Sequence, residues 1–129
     1  MLIIFDLDGV LVDACEWHRL ALNEALLEVA NTEISLSDHY GVFNGIPTKV
    51  KLEKLTNLGV VKQDQHKEIY DLKQLKTIDL IKKSAYVRDE KVFMLKKLKS
   101  DGHTVACFTN SIRMTANLML EKTGILDLF

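Results

Sequence analysis

The sequence predicts an α/β protein with a parallel β-sheet and an inserted helical domain, on three observations. The runs LIIF (2–5) and HTVACFT (103–109) are short, apolar and partly β-branched, which is typical of strands that are buried on both faces. The long segment between them has helical periodicity. A helix predicted over 89–100 leads directly into the second strand, and a right-handed crossover through that helix makes the two strands parallel.

The helices follow from apolar residues that recur at intervals of three and four. The predicted ranges are 14–30 with Asp13 as N-cap, 48–59 with Thr48 as N-cap, 64–83, 89–100 and 112–122. In the third helix the predicted inward face consists of Ile69, Leu72, Leu75, Ile78 and Ile81. Residues 31–45 are polar and are expected to be irregular. We therefore expect a core formed by 1–14 and 84–129, with 15–83 as a separate helical domain.

Charge and composition exclude several classes of protein. Seventeen basic residues against eighteen acidic ones leave a net charge of −1, which argues against a nucleic-acid-binding surface. The first apolar run stops at Asp6 and has no basic residue before it, so we expect neither a signal peptide nor a membrane-spanning helix. Cys15 and Cys107 match no metal or redox spacing and are expected to be reduced thiols of a cytoplasmic protein.

Both predicted strands end in polar residues, DLDG (6–9) after the first and TNS (109–111) after the second. Ligands of parallel α/β sheets bind outside the carboxyl ends of the strands. The two clusters are therefore expected to converge on one site.

The residue types in these clusters suit phosphoryl transfer. Asp6 is a candidate nucleophile, and two carboxylates this close imply a divalent cation, most simply Mg²⁺. Asp8 would act as general acid and then as general base. Gly9 would let the backbone turn close to the ligand, whereas Thr109 and the backbone N–H groups of residues 110 and 111 would hold phosphoryl oxygens.

Simpler interpretations stay open for each of these residues. Asp6 and Asp8 would also fit a solvated acidic turn, although not an EF-hand loop, whose glycine occupies the sixth position and not the fourth. Ser111 alone could serve as a helix N-cap. His18 fits equally well as a packed or surface histidine without a ligand contact, and Lys49 as a solvated lysine at the start of a helix.

Beyond this chemistry, the motifs resemble those of a known superfamily. DLDGVLVD (6–13) resembles the first motif, and VACFTNS (105–111) the second motif, of the haloacid dehalogenase-like (HAD) phosphatases. His18 in EWH, and FNGIPT (43–48) followed by Lys49, resemble the branch that holds β-phosphoglucomutases and phosphoglycolate-type phosphatases. The resemblance covers essentially the whole chain.

The resemblance implies a Rossmann-like core with an inserted helical cap over 15–83. It implies that Asp6 forms an aspartyl-phosphate and binds Mg²⁺, and that Asp8 is the acid/base and binds the metal through its main-chain carbonyl. Thr109 would hold the phosphoryl group with Asn110 beside it. His18 and the cap loop from Gly45 to Lys49 would approach the substrate when the cap closes.

The expected function is Mg²⁺-dependent phosphoryl transfer, by a phosphatase or a phosphomutase, on a small phosphorylated metabolite. The superfamily's later motifs, a lysine and one or two acids, have no counterpart here, because Lys122 and Asp127 come too early in the chain. We therefore expect only the N-terminal part of the core sheet, with an unpaired edge through which copies could associate. The alternative is a catalytically incomplete module that binds a phospho-ligand or a partner.

Overall fold

A computed structural model describes all residues from 1 to 129. It is a mixed α/β structure, which confirms the predicted fold class. The elements in chain order are β1 (Leu2–Asp6), α1 (Cys15–Ala30), α2 (Leu36–Tyr40), α3 (Thr48–Asn57), a 3₁₀ turn (Gln63–Gln65), α4 (His66–Ser84), α5 (Asp89–Ser100), β2 (Thr104–Phe108), α6 (Arg113–Lys122) and a second 3₁₀ turn (Leu126–Leu128). None of the helices is long and apolar enough to cross a membrane.

The chain folds into two compact units. Residues 1–16 together with 78–129 form the first, called here the core unit, and residues 17–77 form the second, called the helical unit. The boundaries fall inside α1 and α4, a few residues from the expected ones at 14/15 and 83/84. The identity of the helical unit as a substrate-covering cap stays a prediction.

The sheet of the core unit contains β1 and β2, paired in parallel from Leu2 opposite Thr104 to Asp6 opposite Phe108. The expectation of strands buried on both faces is wrong. Leu2 and Ile4 are 59% and 61% exposed, whereas Ile3 and Phe5 are partly covered. Side chains alternate between the two faces of a strand, so this pattern means that the rest of the chain covers mainly one face of the sheet.

One helix lies outside the predicted set, and one predicted N-cap is wrong. Helix α2 lies inside the segment expected to be irregular, and the Ser35 hydroxyl caps it by accepting a hydrogen bond from the Asp38 N–H (3.1 Å). Thr48 is the first residue of α3 and not its N-cap, which is Pro47. No side chain caps this end of the helix.

Helix α4 buries only part of the predicted face: Ile69 and Ile81 are buried, and Leu72 packs against the core of the helical unit. Leu75, expected to face inward, is 62% exposed, whereas Lys73 and Thr77 are buried. The buried positions follow a strict spacing of four, Ile69, Lys73, Thr77 and Ile81, and not the spacing of three that the apolar residues suggested. A lysine therefore occupies an inward position of this helix.

The helical unit has its own apolar core, which explains how it forms a compact body. Its buried residues are Leu22, Ala25, Leu26, Ile34, Phe43, Leu52, Leu55, Val61 and Ile69. The buried Asn23 side chain satisfies both backbone groups of Ile34, accepting from its N–H and donating to its carbonyl, at 2.9 Å each. This pair fixes the chain after α1 in place, because buried backbone groups need partners.

Candidate active site

The site begins where β1 ends. Asp6 is the last residue of the strand, and its exposed carboxylate accepts a hydrogen bond from the Leu7 N–H through Oδ1 (2.8 Å). Leu7 is fully buried, and its carbonyl accepts hydrogen bonds from the N–H groups of residues 10, 11 and 12. The buried leucine thus anchors a tight turn that brings Asp8 out of the strand direction.

Gly9 makes this turn possible. Its φ of +82° lies in the left-handed region, and its N–H donates to the Val12 carbonyl at 2.7 Å. A Cβ at this position would lie 3.3 Å from the Cys15 Sγ. Both the backbone conformation and the lack of space favour glycine here.

A hydrogen bond ties the turn after β1 to the loop after β2. The Ser111 hydroxyl donates to Oδ2 of Asp8 at 2.9 Å, and the Ser111 N–H donates to the Thr109 hydroxyl oxygen at 3.0 Å. The interpretation of Ser111 as a helix cap is wrong, since Ile112 is the N-cap of α6 and no side chain caps that end. Sequence reasoning missed the contact to Asp8, which only the fold reveals.

The strand register places the remaining predicted residues at the same edge of the sheet. Asp6 lies opposite Phe108, so Thr109 follows at the carboxyl end of the neighbouring strand. Thr109 is half-buried and Asn110 is exposed. The predicted convergence of the DLDG and TNS clusters is therefore present in the core unit.

The two cysteine thiols lie close enough to the acids to sense their charge. Burial raises the pKa of the Cys15 thiol, and the carboxylate of Asp8 raises it further. Burial likewise raises the pKa of Cys107, with Asp6 and then Asp8 adding to the shift. A thiol with a raised pKa stays protonated at neutral pH and is a poor nucleophile.

Side chains from the start of α5 hold the next part of the turn. The Lys91 ammonium donates to the Val10 carbonyl, and the Arg88 guanidinium donates to the Asp13 carboxylate, both at 2.7 Å. Asp13 is therefore engaged by an arginine. These two contacts connect the turn after Asp8 to the start of α5.

The other predicted site residues lie in the helical unit. His18, on α1, has its Nδ1 3.1 Å from Nζ of Lys73. Lys49, in the first turn of α3, is exposed and lies 5.8 Å from the ring centroid of Tyr70, within cation–π range. Gly45, at the start of the predicted substrate loop, has a φ of +73°. The structure thus brings Asp6, Asp8, Gly9, Thr109 and Asn110 into the core unit and places His18 and Lys49 in the helical unit.

Comparison with known proteins identifies the family. The model of a family described as haloacid dehalogenase-like hydrolase matches residues 3–129. The chain belongs to the haloacid dehalogenase-like hydrolases.

Individual relatives of this HAD-like chain agree with that assignment. A phosphoglycolate phosphatase of Cereibacter sphaeroides (strain ATCC 17025 / ATH 2.4.3) is 31% identical over 130 residues, which cover 98% of this chain and 59% of the relative. The chain therefore spans less than two thirds of that curated relative.

Solved structures show the same fold. A family IA, variant 3 HAD hydrolase from Entamoeba histolytica HM-1:IMSS superposes with a TM-score of 0.79 at 19% identity, covering 99% of this chain and 56% of the other. A predicted phosphoglycolate phosphatase from Haemophilus somnus 129pt gives a TM-score of 0.80 at 22% identity, covering 99% and 59%.

The acidic donors of this HAD-like chain fit the protein's share of a magnesium site. The chain has no group of three or more His, Cys, Asp and Glu side chains placed to hold a metal ion. Mg²⁺ usually keeps several waters and takes only one or two carboxylates together with substrate phosphate oxygens. The Asp6 carboxylate and the main-chain carbonyl of Asp8 are oxygen donors of the hard type that this ion prefers.

Lys73 is the residue that the sequence analysis overlooked in the helical unit. Its side chain is buried and contacts His18, one of the predicted substrate residues. The signal was present as the spacing of four from Ile69 through Lys73 and Thr77 to Ile81. A lysine and a threonine interrupt its apolar character, so the apolar periodicity alone does not predict it.

Proposed function

We propose that this chain carries the phosphoryl-transfer centre of a Mg²⁺-dependent phosphatase that acts on a small phosphorylated metabolite through an aspartyl-phosphate. The observation that carries the proposal is the tie between the two loops. Asp6 and Asp8 leave β1 on a fixed turn, and Ser111 joins Asp8 to the loop that holds Thr109. Family membership and the similarity to a phosphoglycolate phosphatase support the phosphorylated substrate.

The first half-reaction transfers the phosphoryl group to the protein. A carboxylate oxygen of Asp6 attacks phosphorus, and the bond between phosphorus and the leaving oxygen breaks. Asp8, protonated at that stage, gives its proton to the leaving oxygen. Thr109 donates its hydroxyl to a phosphoryl oxygen, because that hydroxyl oxygen already accepts the Ser111 N–H and its own proton can point outward.

The second half-reaction restores the carboxylate. Asp8 takes a proton from a water that attacks phosphorus, and the bond between phosphorus and the Asp6 oxygen breaks. Inorganic phosphate leaves, and Asp6 is again ionised. Asp6 and the main-chain carbonyl of Asp8 would hold Mg²⁺, which neutralises the charge of the attacking carboxylate and of the phosphoryl group.

The test is phosphate release by the 129-residue chain, with phosphoglycolate and a panel of small phosphomonoesters, in the presence and absence of Mg²⁺. We expect Mg²⁺-dependent turnover that falls by at least about 10⁴-fold in Asp6→Asn. Asp13→Asn is the matched control, since it neutralises another carboxylate of the same turn that pairs with Arg88. Absence of turnover at every Mg²⁺ concentration, with a folded chain, refutes the enzyme proposal for this chain.

A second candidate function is a module that binds a phospho-ligand or a partner without catalysis. The observation that favours it is the donor set, in which Asp6 and Asp8 have no third metal-ligating side chain beside them. In that case Asp6→Asn should leave phosphate binding intact or strengthen it, because the substitution removes a negative charge that repels the anion. Phosphate release measured with and without Mg²⁺ separates the two functions, because only the enzyme gives a turnover that Asp6→Asn abolishes.

A further inference from the structure

The acid-bearing turn that follows β1 is packed at its two ends but not at its tip, residues 8–10. Leu7, Leu11 and Val12 are buried, so the core fixes the backbone before and after the tip. Val10 is 46% exposed, and Gly9 beside it is exposed as well. The tip therefore depends on hydrogen bonds for its order, because few packed side chains hold it.

Two side-chain hydrogen bonds reach this tip from distant parts of the chain. The Ser111 hydroxyl, from the loop after β2, donates to Oδ2 of Asp8 at 2.9 Å. The Lys91 ammonium, from the first turn of α5, donates to the Val10 carbonyl at 2.7 Å. A charged donor makes the stronger kind of hydrogen bond, so the contact of Lys91 is the firmer restraint on the backbone of the tip.

Lys91 has an unfavourable position in its own helix. Helix α5 begins at Asp89, which makes Lys91 its third residue. The N-terminal end of a helix carries a partial positive charge, so it favours acids such as Asp89 and Glu90 and disfavours cations. Lys97, in the last turn, has the opposite and favourable placement. The contact with the Val10 carbonyl, and not the helix, accounts for a cation at this position.

We propose that Lys91 is a positioning residue that fixes the tip of the turn and thereby orients Asp8. Only Gly9 lies between Asp8 and Val10, and glycine is the residue that restrains its neighbours least. The restraint on Asp8 from this direction must therefore come from outside the turn, and Lys91 supplies it at the next residue. The inference rests on the proposed function only where it makes Asp8 the acid/base of phosphoryl transfer.

The experiment is amide hydrogen exchange of the ¹⁵N-labelled chain, measured by NMR at the Gly9 N–H in the wild-type chain and in Lys91→Met. This N–H donates to the Val12 carbonyl at 2.7 Å, so its exchange reports the opening of the tip. We expect exchange at least about fivefold faster in Lys91→Met, as follows from the loss of one hydrogen bond. Methionine is a good helix former, so α5 should keep its length.

Lys97→Met is the matched control, because Lys97 lies on the same helix and its ammonium donates to Asp101. Removal of this charge should leave the exchange at Gly9 unchanged. Lys91→Arg, which keeps a cationic donor, should retain the slow exchange of the wild-type chain.

Kinetics with phosphoglycolate separate positioning from a merely structural role. Lys91→Met should lower kcat about fivefold and leave KM unchanged, because the residue acts on Asp8 in the chemical step and not on substrate binding. Lys91→Arg should restore kcat. Lys97→Met should have the kcat and the KM of the wild-type chain.

Two results overturn the inference: equal exchange at Gly9 in the wild-type chain and in a folded Lys91→Met, or an unchanged kcat in Lys91→Met. If Lys91→Met does not fold, the wild-type chain supplies the test, because a hydrogen bond couples the Lys91 ¹⁵Nζ spin to the ¹³C spin of the Val10 carbonyl, and absence of that coupling also overturns the inference. Absence of turnover in the wild-type chain, with the exchange effect intact, would refute the phosphatase proposal and leave the positioning of the turn by Lys91 standing.

Discussion

Replacement of Gly9 by alanine tests the turn that carries Asp8. The glycine has a φ of +82°, and a Cβ there would lie 3.3 Å from the Cys15 Sγ. Two separate costs are therefore expected, one from the backbone conformation and one from the close contact.

The magnitude of each cost follows from these two observations. An L-residue in the left-handed region destabilises the folded state by about 1–2 kcal/mol. Alanine also restricts the unfolded chain more than glycine does, which recovers about 0.4–1 kcal/mol of this stability. The net backbone cost is about 1 kcal/mol. A contact at 3.3 Å requires the Cys15 side chain to shift by a few tenths of an ångström, which adds at most about 1 kcal/mol.

Gly102→Ala is the matched control for the backbone term. Gly102 has a φ of +87° in the same unit, and a Cβ there would meet nothing within 4 Å. Urea denaturation followed by circular dichroism, in reducing buffer, should give a loss of about 1 kcal/mol for Gly102→Ala and about 1–2 kcal/mol for Gly9→Ala. The excess should disappear when both forms are compared in a Cys15→Ala background. Phosphatase turnover should fall about tenfold only in Gly9→Ala, because only that turn positions Asp8.

Two results would refute this reasoning. If Gly9→Ala costs no more than a few tenths of a kcal/mol, residue 9 does not occupy the left-handed region in solution. If the excess over Gly102→Ala persists in the Cys15→Ala background, the thiol is not the group that limits the space at residue 9.

The remaining predictions concern other contacts of the two units. Ser111→Ala should lower kcat/KM about tenfold because it removes one hydrogen bond that orients Asp8, while Ser111→Thr, which keeps the hydroxyl, retains activity. Equal kinetics for both would contradict the role of the hydroxyl. Asn23→Ala should destabilise the helical unit by about 2–3 kcal/mol, because the Ile34 backbone groups lose their partners. Urea denaturation measures the loss, and Asn117→Ala, at an exposed position, should change the stability by no more than about 0.5 kcal/mol. Stability should also decline as the pH rises above 9.0, the ordinary pKa of the thiols, because the unfolded chain ionises Cys15 and Cys107 before the folded one does. A double cysteine-to-alanine variant should show a flatter pH profile, and an unchanged slope would count against the raised pKa values.

The sequence predicts an element correctly wherever its local pattern and its tertiary contacts favour the same structure. Helix α5 has the predicted bounds, Asp89–Ser100, because acidic residues occupy its first turn, lysines its last turn, and Gly102 follows its end with a positive φ. The parallel pairing followed from the crossover rule. The convergence of the DLDG and TNS clusters at one edge of the sheet followed from the position of ligand sites in parallel sheets, whereas the hydrogen bond from Ser111 to Asp8 did not.

The errors have a common physical origin, in that burial depends on neighbours that a local pattern does not specify. The apolar run of β1 predicted two covered faces, but Leu2 and Ile4 lie on the face that this chain leaves exposed. In α4 the apolar residues recur at intervals of three, whereas the most deeply buried positions recur at intervals of four and include a lysine and a threonine. Helix α2 depended on a single capping serine, Ser35, in a short polar segment that has little helical periodicity.

The placement of two acids after an apolar strand is explained by the residue between them. Leu7 is fully buried, and its carbonyl accepts hydrogen bonds from the N–H groups of the turn. The chain therefore reverses at a point that the core fixes. Asp6 receives the Leu7 N–H and Asp8 receives the Ser111 hydroxyl, so both carboxylates are oriented by protein donors before any ligand arrives. Groups held in this way need little reorganisation during a reaction, which is the main electrostatic advantage of an enzyme over water. The same donors reduce the cost of holding two negative charges close together.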